Sequence, residues 1–222
     1  MQKGIEFEGR PVWAEIHLSA LRHNMRMIRR RIHSERLTKG ARRTDPKILA
    51  VVKANAYGHG AVRVARELEK AGADWFGVTC SAEGVELRQG GVNKPILLLT
   101  GFWPGEERRL LAHQLTPTII RSEQLVALDK AAAHVNRGPA PFHLKIQTGM
   151  NRLGMDPSEL PRMARTLAKC PHLRLEGVFT HLASSEVFSN TKTEQQQKVF
   201  EGALEFRLCD RPDVAGRKCI LA

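Results

Sequence analysis

The sequence has no long apolar segment and few cysteines. No apolar run approaches the roughly 18 residues that a membrane span requires. The opening residues, MQKGIEFEGR, lack the apolar core that marks a secretory signal. The four cysteines, Cys80, Cys170, Cys209 and Cys219, form no CxxC pair. These absences predict a protein without a membrane partner, in a reducing, cytoplasmic setting.

Negative charge is scarce, since 23 acidic residues stand against 35 Lys and Arg, for a formal net charge of +12. The densest basic stretch, residues 22–43, contains nine Lys and Arg and a single acid, Glu35. Apolar residues at steps of three and four predict an amphipathic helix here, with Ser19 as its N-cap. These apolar residues are Leu18, Leu21, Met25, Ile28 and Ile32. Because no aromatic residue lies among the arginines and no binding motif follows, we expect a solvent-facing basic helix and no nucleic-acid partner.

No GxGxxG motif follows any predicted strand, which argues against a dinucleotide-binding Rossmann domain. After residue 45, short apolar runs alternate with segments of helical spacing, which indicates parallel βαβ units. Seven such runs are predicted as strands, beginning near Ile48, Trp75, Ile96, Pro117, Phe142, Leu173 and Lys218. The α/β pattern fits a (β/α)8 TIM-type barrel or a doubly wound sheet, and the missing motif favours the barrel. The segment 12–18, VWAEIHL, is a further strand candidate.

Local signals predict where several helices begin and end. Gly72 is expected to end a helix over Ala61–Ala71. Ser122 is expected to cap the helix that follows it, and Asp156 to cap one whose first residue is Pro157. A last helix is predicted over 193–208.

Polar residues collect where predicted strands end, which is the rim that carries active sites in barrels. The first strand ends at Lys53, the fifth at Lys145, and the sixth at Thr180-His181. Alternation with Leu144 and Ile146 predicts that Lys145 faces the opposite side of the sheet from them. Beside an apolar strand the Lys53 ammonium would be partly desolvated, which favours the free amine that Schiff-base chemistry requires. A lysine whose charge simply reaches solvent at a strand end would look the same by position alone.

Four segments carry a resemblance to a known family. The stretch AVVKANAYGHGA (50–61) resembles the pyridoxal-phosphate attachment motif of alanine racemases. Two later stretches, HLKIQTGMNRLGM (143–155) and LEGVFTHLASSE (175–186), resemble further signatures of that family, in the same order. WAEIHLSALRHN (13–24) resembles its N-terminal opening. The resemblance therefore extends over nearly the whole chain.

The resemblance implies a (β/α)8 barrel followed by a β-rich C-terminal domain, in a head-to-tail homodimer. It implies that the opening strand belongs with that second domain, so that residues 1–45 form this strand, the basic helix and a loop, and 46–222 form barrel units. The implied activity is the interconversion of L-alanine and D-alanine, which supplies D-alanine for peptidoglycan.

The resemblance also implies a role for five residues. Lys53 would hold pyridoxal 5'-phosphate as a Schiff base and act as one catalytic base. Tyr57 would bind the cofactor phosphate, and Arg152 would contact the pyridine side of the cofactor and the substrate. His181 would stack on or line the cofactor ring. Lys145 matches a position that is often carbamylated and helps to orient the arginine.

Three features depart from the family pattern. Gln147 stands where the family generally has Asp, and Asn151 replaces a frequent Gly. The second catalytic base in the family is a tyrosine of the C-terminal domain, whereas Tyr57 is the only tyrosine of this chain. The final residues, KCILA, resemble the start of the seventh barrel strand of the family. We therefore expect a truncated alanine racemase that is inactive as given.

Two alternatives remain open. The chain could be a non-catalytic, single-domain pyridoxal-phosphate-binding protein, which would need no second base. It could also belong to a racemase for another amino acid, such as serine or lysine.

Overall fold

The computed structural model describes residues 12–38, 46–135, 138–187, 191–206 and 218–221. Residues 39–45 of the loop predicted at 38–46, Cys209 and the last two residues of the predicted helix 193–208 lie outside them. The helices are α1 (Leu18–Thr38), α2 (Lys53–Tyr57), α3 (Ala61–Lys70), α4 (Ser81–Gln89), α5 (Glu107–Ala112), α6 (Ser122–Ala132), α7 (Leu160–Leu167) and α8 (Lys192–Glu205). The strands are β1 (Leu49–Val51), β2 (Trp75–Val78), β3 (Ile96–Leu98), β4 (Leu115–Thr116), β5 (Thr118–Ile119), β6 (Ala140–Lys145), β7 (Leu173–Thr180) and β8 (Lys218–Leu221).

All neighbouring strands run parallel, in the orders β1-β2-β3-β4 and β5-β6-β7-β8. The two sheets meet at Pro117, which separates β4 from β5 and has no N–H to donate to a neighbouring strand. Its carbonyl still accepts a hydrogen bond from the His143 N–H at 2.9 Å. β4 and β5 therefore occupy the place of a single barrel strand, which Pro117 divides into two short strands. The described residues form an α/β partial barrel with the seven predicted strand positions.

Alternation along the strands divides the apolar residues between two cores. Phe142 and Leu144 of β6 belong to the large cluster between the strands and the surrounding helices. Trp75, Leu97 and Phe179 form a second cluster on the opposite face of the strands, inside the barrel. The polar residues of the site stand at the carboxyl ends of the strands around this interior.

The N-terminal helix differs from its prediction in two details. Residues 12–17 pair with none of the described strands, and the opening strand that the resemblance assigns to the second domain stays a prediction. The helix begins at Leu18, so Ser19 lies inside it and is not its N-cap. Ile28, predicted for the buried stripe, is 51% exposed. Arg29 faces the neighbouring elements instead and binds Asp74 at 2.7 Å.

Helix ends agree more closely with the sequence signals. α3 ends at Lys70, and Gly72 follows at φ 102°, in the left-handed region that favours glycine. Asp156 caps a 3₁₀ turn (Pro157–Glu159) by accepting a hydrogen bond from the Ser158 N–H at 2.9 Å, and α7 continues from it. Ser122 is already helical, and the N-cap position of α6 is Arg121.

None of the described helices is both long and apolar enough to cross a lipid bilayer.

Candidate active site

The predicted site residues meet at one rim of the barrel. Lys53 follows β1 after a single residue, Lys145 ends β6, and His181 comes directly after β7. Arg152 lies in the loop between β6 and α7. Parallel strands bring their carboxyl ends to the same edge, so that these side chains approach one another although they are up to 128 positions apart in the chain (181 minus 53).

Lys145 points into the barrel, as alternation predicted. Its side chain is 5% exposed, and its Nζ donates to the Leu99 carbonyl at 3.3 Å. The same Nζ lies 5.4 Å from the centroid of the Phe179 ring. Burial lowers the pKa of Lys145, and the positive charges of Arg152 and Lys53 lower it further. The lysine is thus held where its ammonium form is disfavoured, and carbamylation of this residue remains a prediction.

His181 experiences the same positive field. It is half-buried, and burial lowers the pKa of its imidazole. The positive charges of Lys145, Arg152 and Lys53 act in the same direction. All the charges that perturb Lys145 and His181 are therefore positive. An anionic ligand would relieve this repulsion, whereas a cationic ligand would add to it.

Lys53 leads into a left-handed helical turn that the sequence did not predict. Ala54, Asn55, Ala56 and Tyr57 have φ values between 49° and 55°. Such a conformation costs roughly 1–2 kcal/mol for each residue other than glycine and asparagine. Helical hydrogen bonds run along the turn, from the Ala56 N–H to the Val52 carbonyl at 2.9 Å and from the Gly58 N–H to the Ala54 carbonyl at 3.1 Å. The turn brings the two predicted cofactor residues together, with Lys53 Nζ 5.9 Å from the ring centroid of Tyr57.

Glu83 of α4 supports this turn and was missed by the sequence reasoning. Its Oε1 accepts a hydrogen bond from the Ala54 N–H at 2.7 Å. Its Oε2 accepts from the Thr79 N–H at 2.7 Å and from Thr79 Oγ1 at 2.9 Å. Burial alone would raise the pKa of Glu83, but hydrogen bonds from Thr79, Ala54 and Cys80 lower it below its ordinary value. An acid in the first turn of a helix after a strand is the only local signal for this role.

A second missed residue, Gln196 of α8, organises the loops after β6 and β7. It is 4% exposed and donates hydrogen bonds to Thr148 Oγ1 and to the His181 carbonyl, both at 3.0 Å. Its Oε1 accepts from the Ala183 N–H at 2.9 Å. Thr148 in turn shares a hydrogen bond of 2.7 Å with Thr180, which ends β7. The network fixes the backbone on both sides of His181.

The remaining predicted residues are less tightly held. Tyr57 is 59% exposed, so its ring is available to a ligand or partner. Gln147 closes a local turn, since its Oε1 accepts from the Gly149 N–H at 2.9 Å. Asn151 has φ 57°, a left-handed conformation that Asn and Gly tolerate better than other residues. This shared tolerance accounts for Asn in place of the frequent Gly.

The donor set suits an organic anion with an electrophilic carbon. Lys53 offers an amine for covalent attachment, and Arg152 and Lys145 supply positive charge beside it. No group of three or more His, Cys, Asp or Glu in the described part of the chain is arranged to hold a metal ion. A phosphate-bearing aldehyde such as pyridoxal phosphate therefore fits the residues present.

Comparison with known proteins points to one family. Residues 16–208 match the family model for the N-terminal domain of alanine racemase. The alanine racemase of Symbiobacterium thermophilum is 42% identical over 195 residues, which are 88% of this chain and 48% of that protein. An alanine racemase of Xylella fastidiosa is 44% identical over 195 residues, covering 87% of this chain and 49% of that protein.

Solved structures show the same likeness. An alanine racemase from Clostridium difficile 630 has a TM-score of 0.80 at 32% identity, over 97% of this chain and 53% of that one. An alanine racemase from Bacillus anthracis with bound L-Ala-P has a TM-score of 0.77 at 27% identity, over 92% of this chain and 50% of that one. This chain spans about half the length of the curated relatives that it matches. Sequence, fold and the domain match together place the chain in the alanine racemase family, as a counterpart of its N-terminal barrel domain.

Proposed function

We propose that this chain is the cofactor-binding barrel of a pyridoxal-phosphate-dependent alanine racemase. The observation that carries the proposal is Lys53, placed by a left-handed turn at a rim where Lys145 and Arg152 add positive charge. The likeness to alanine racemases over most of the chain supports alanine as the substrate. D-alanine made for peptidoglycan in the cytoplasm would be the biological role.

Each site residue has a task in this proposal. Lys53 Nζ would attach covalently to the cofactor aldehyde, and Tyr57 and Arg152 would contact its phosphate and its ring side. His181, whose pKa is lowered by burial and by neighbouring cations, would present a neutral ring to the cofactor. When bound, pyridoxal phosphate supplies the electron sink that acidifies the Cα proton of an amino acid. The buried Lys145 would lie beside Arg152 and contribute to the positive field around the cofactor.

Racemisation requires a base on each face of the substrate Cα. Lys53 Nζ would take or return a proton on one of these faces. The only tyrosine among these 222 residues is Tyr57, which we assign to the cofactor phosphate. The second base would therefore come from residues outside these 222, in a homodimer of the whole protein. The 222-residue chain alone should then move a proton on one face without inverting the substrate.

This proposal is tested by incubating the chain and pyridoxal phosphate with each alanine enantiomer in D₂O. We expect deuterium at Cα of one enantiomer, with no other enantiomer formed. Net racemisation at a rate typical of enzymes would contradict the one-base assignment. Failure to bind pyridoxal phosphate would contradict the family-based function altogether. Faster exchange with serine or lysine than with alanine would overturn the substrate assignment.

A further inference from the structure

We propose that Glu83 is a positioning residue, whose carboxylate locks the left-handed turn and thereby fixes Lys53 for attachment to the cofactor. The inference rests on the proposed function and concerns a residue that touches neither the cofactor nor Lys53 in that scheme. It joins the first peptide after Lys53 to the loop that follows β2. These two segments already lie side by side, because the Val52 N–H donates to the Gly77 carbonyl at 2.9 Å.

Ala54 is the first residue of the left-handed turn, at φ 49° and ψ 53°. Nothing in alanine favours this conformation, so the surrounding structure has to impose it. Glu83 Oε1 holds the Ala54 N–H at 2.7 Å, at the point where the chain changes hand. A turn that relaxed to ordinary backbone would carry Lys53 and Tyr57 apart.

The donors around Glu83 explain why the residue is a carboxylate. Backbone N–H groups face both of its oxygens, Ala54 at Oε1 and Thr79 at Oε2. Ionised glutamate accepts at both positions, whereas glutamine has only one oxygen, and its NH₂ group would meet an N–H donor at the other. Glu83→Gln therefore keeps the size of the side chain but breaks one of the two anchors. The variant separates the hydrogen-bond requirement from simple packing.

A suitable control stands one turn along the same helix. Glu86 lies on α4 and is exposed, so Glu86→Gln makes the same change of charge and size without touching the turn.

A second variant tests the mechanism itself. Glycine adopts positive φ without the penalty that alanine pays, so Ala54→Gly should reduce the dependence of the turn on Glu83. Ala54 is exposed, and its substitution opens no cavity.

The experiment measures pyridoxal-phosphate attachment at Lys53, trapped by borohydride reduction and located by peptide mass spectrometry. Amide hydrogen exchange over residues 50–60 is measured in the same proteins without cofactor. For Glu83→Gln we expect attachment at least about tenfold weaker, as for a misplaced reactive group, and faster exchange in this segment alone. Glu86→Gln should match the wild type, and adding Ala54→Gly to Glu83→Gln should restore much of the attachment.

The outcomes separate this inference from the proposed function. If the wild type attaches the cofactor and Glu83→Gln shows the same attachment and the same amide exchange, the inference is overturned and the proposed function stands. No attachment in the wild type would overturn the function, while the exchange data would still decide whether Glu83 holds the turn. In a third outcome, Glu83→Gln loses attachment that Ala54→Gly fails to restore, with amide exchange increased throughout the chain. That result would show that Glu83 has a general structural role, and it would contradict the positioning role.

Discussion

Gln196→Met tests the buried network that holds the loops around His181. Methionine has nearly the size and flexibility of glutamine, so the substitution removes hydrogen bonds while leaving little empty space. Gln196 makes three of them, to Thr148, to the His181 carbonyl and from the Ala183 N–H, at 2.9 to 3.0 Å. The residue is 4% exposed, so water cannot take over these partners without opening the structure.

The magnitude follows from the partners that are lost. A buried group left without a partner costs about 1–3 kcal/mol. Two groups lose their partner here, the His181 carbonyl and the Ala183 N–H, because Thr148 Oγ1 keeps its hydrogen bond to Thr180. Burial of the methionine side chain offsets part of this loss. We expect the free energy of unfolding of Gln196→Met to be lower by about 3 kcal/mol. With a urea m-value of about 3 kcal/mol/M, the midpoint should fall by about 1 M.

The adjacent glutamine provides the matched control. Gln197 is exposed and makes one hydrogen bond, to Glu201 at 2.8 Å. Gln197→Met should change the free energy of unfolding by no more than about 0.5 kcal/mol. Urea titrations followed by tryptophan fluorescence compare the two variants with the wild type. Equal midpoints for both variants would refute the claim that the Gln196 network stabilises the loops around His181.

Three further predictions concern charge and backbone. Burial and neighbouring cations lower the pKa of Lys145. The free energy of unfolding of the wild type should therefore rise with pH between the folded-state pKa and the ordinary value of 10.5. Lys145→Met should abolish this rise, measured by urea titrations at pH 7 and pH 10. Glu83 has a lowered pKa, so its contribution to the free energy of unfolding should be complete above the ordinary pKa of 4.5 and should disappear as the pH falls through the folded-state pKa. The difference in free energy of unfolding between the wild type and Glu83→Gln should therefore vanish in acid. Gly154→Ala should cost at least about 2 kcal/mol, because φ is 136° and a Cβ would lie 2.8 Å from the Gln147 nitrogen. In contrast, Gly202→Ala in α8, where a Cβ would meet nothing within 4 Å, should be neutral or stabilising by up to about 1 kcal/mol, and urea titrations compare both glycine variants with the wild type.

The strand positions and the rim were predictable because they depend on local pattern. Continuous apolar runs mark strands that are buried on both faces, and parallel strands bring their ends to one edge. Alternation with Leu144 was enough to place Lys145 inside the barrel. The same logic failed at Ile28, since steps of three and four leave two faces of a helix possible. There Arg29 occupies the inner position and binds Asp74, which lies 45 residues further along the chain. A local sequence pattern does not include such a distant partner.

The geometry around Lys53 could not be predicted for a related reason. The left-handed turn runs through alanine and tyrosine, which disfavour it, so local propensity indicates a different conformation. Glu83 holds it from 29 positions along the chain. Gln196 was hidden in the same way, as a polar residue in a helical stripe whose other buried members are Phe200 and Ala203. Residues that support a site are found from contacts between distant segments, whereas residues that carry its chemistry are found from motifs.

The most direct test of this account is the site at which pyridoxal phosphate attaches. The chain is incubated with pyridoxal phosphate, reduced with borohydride and analysed by peptide mass spectrometry, beside Lys53→Ala and the exposed-lysine control Lys47→Ala. We predict a single modified lysine, Lys53, in the wild type and in Lys47→Ala, and no modification in Lys53→Ala. Equal labelling of several lysines, or labelling that persists in Lys53→Ala, would contradict the claim that this rim is built to hold the cofactor.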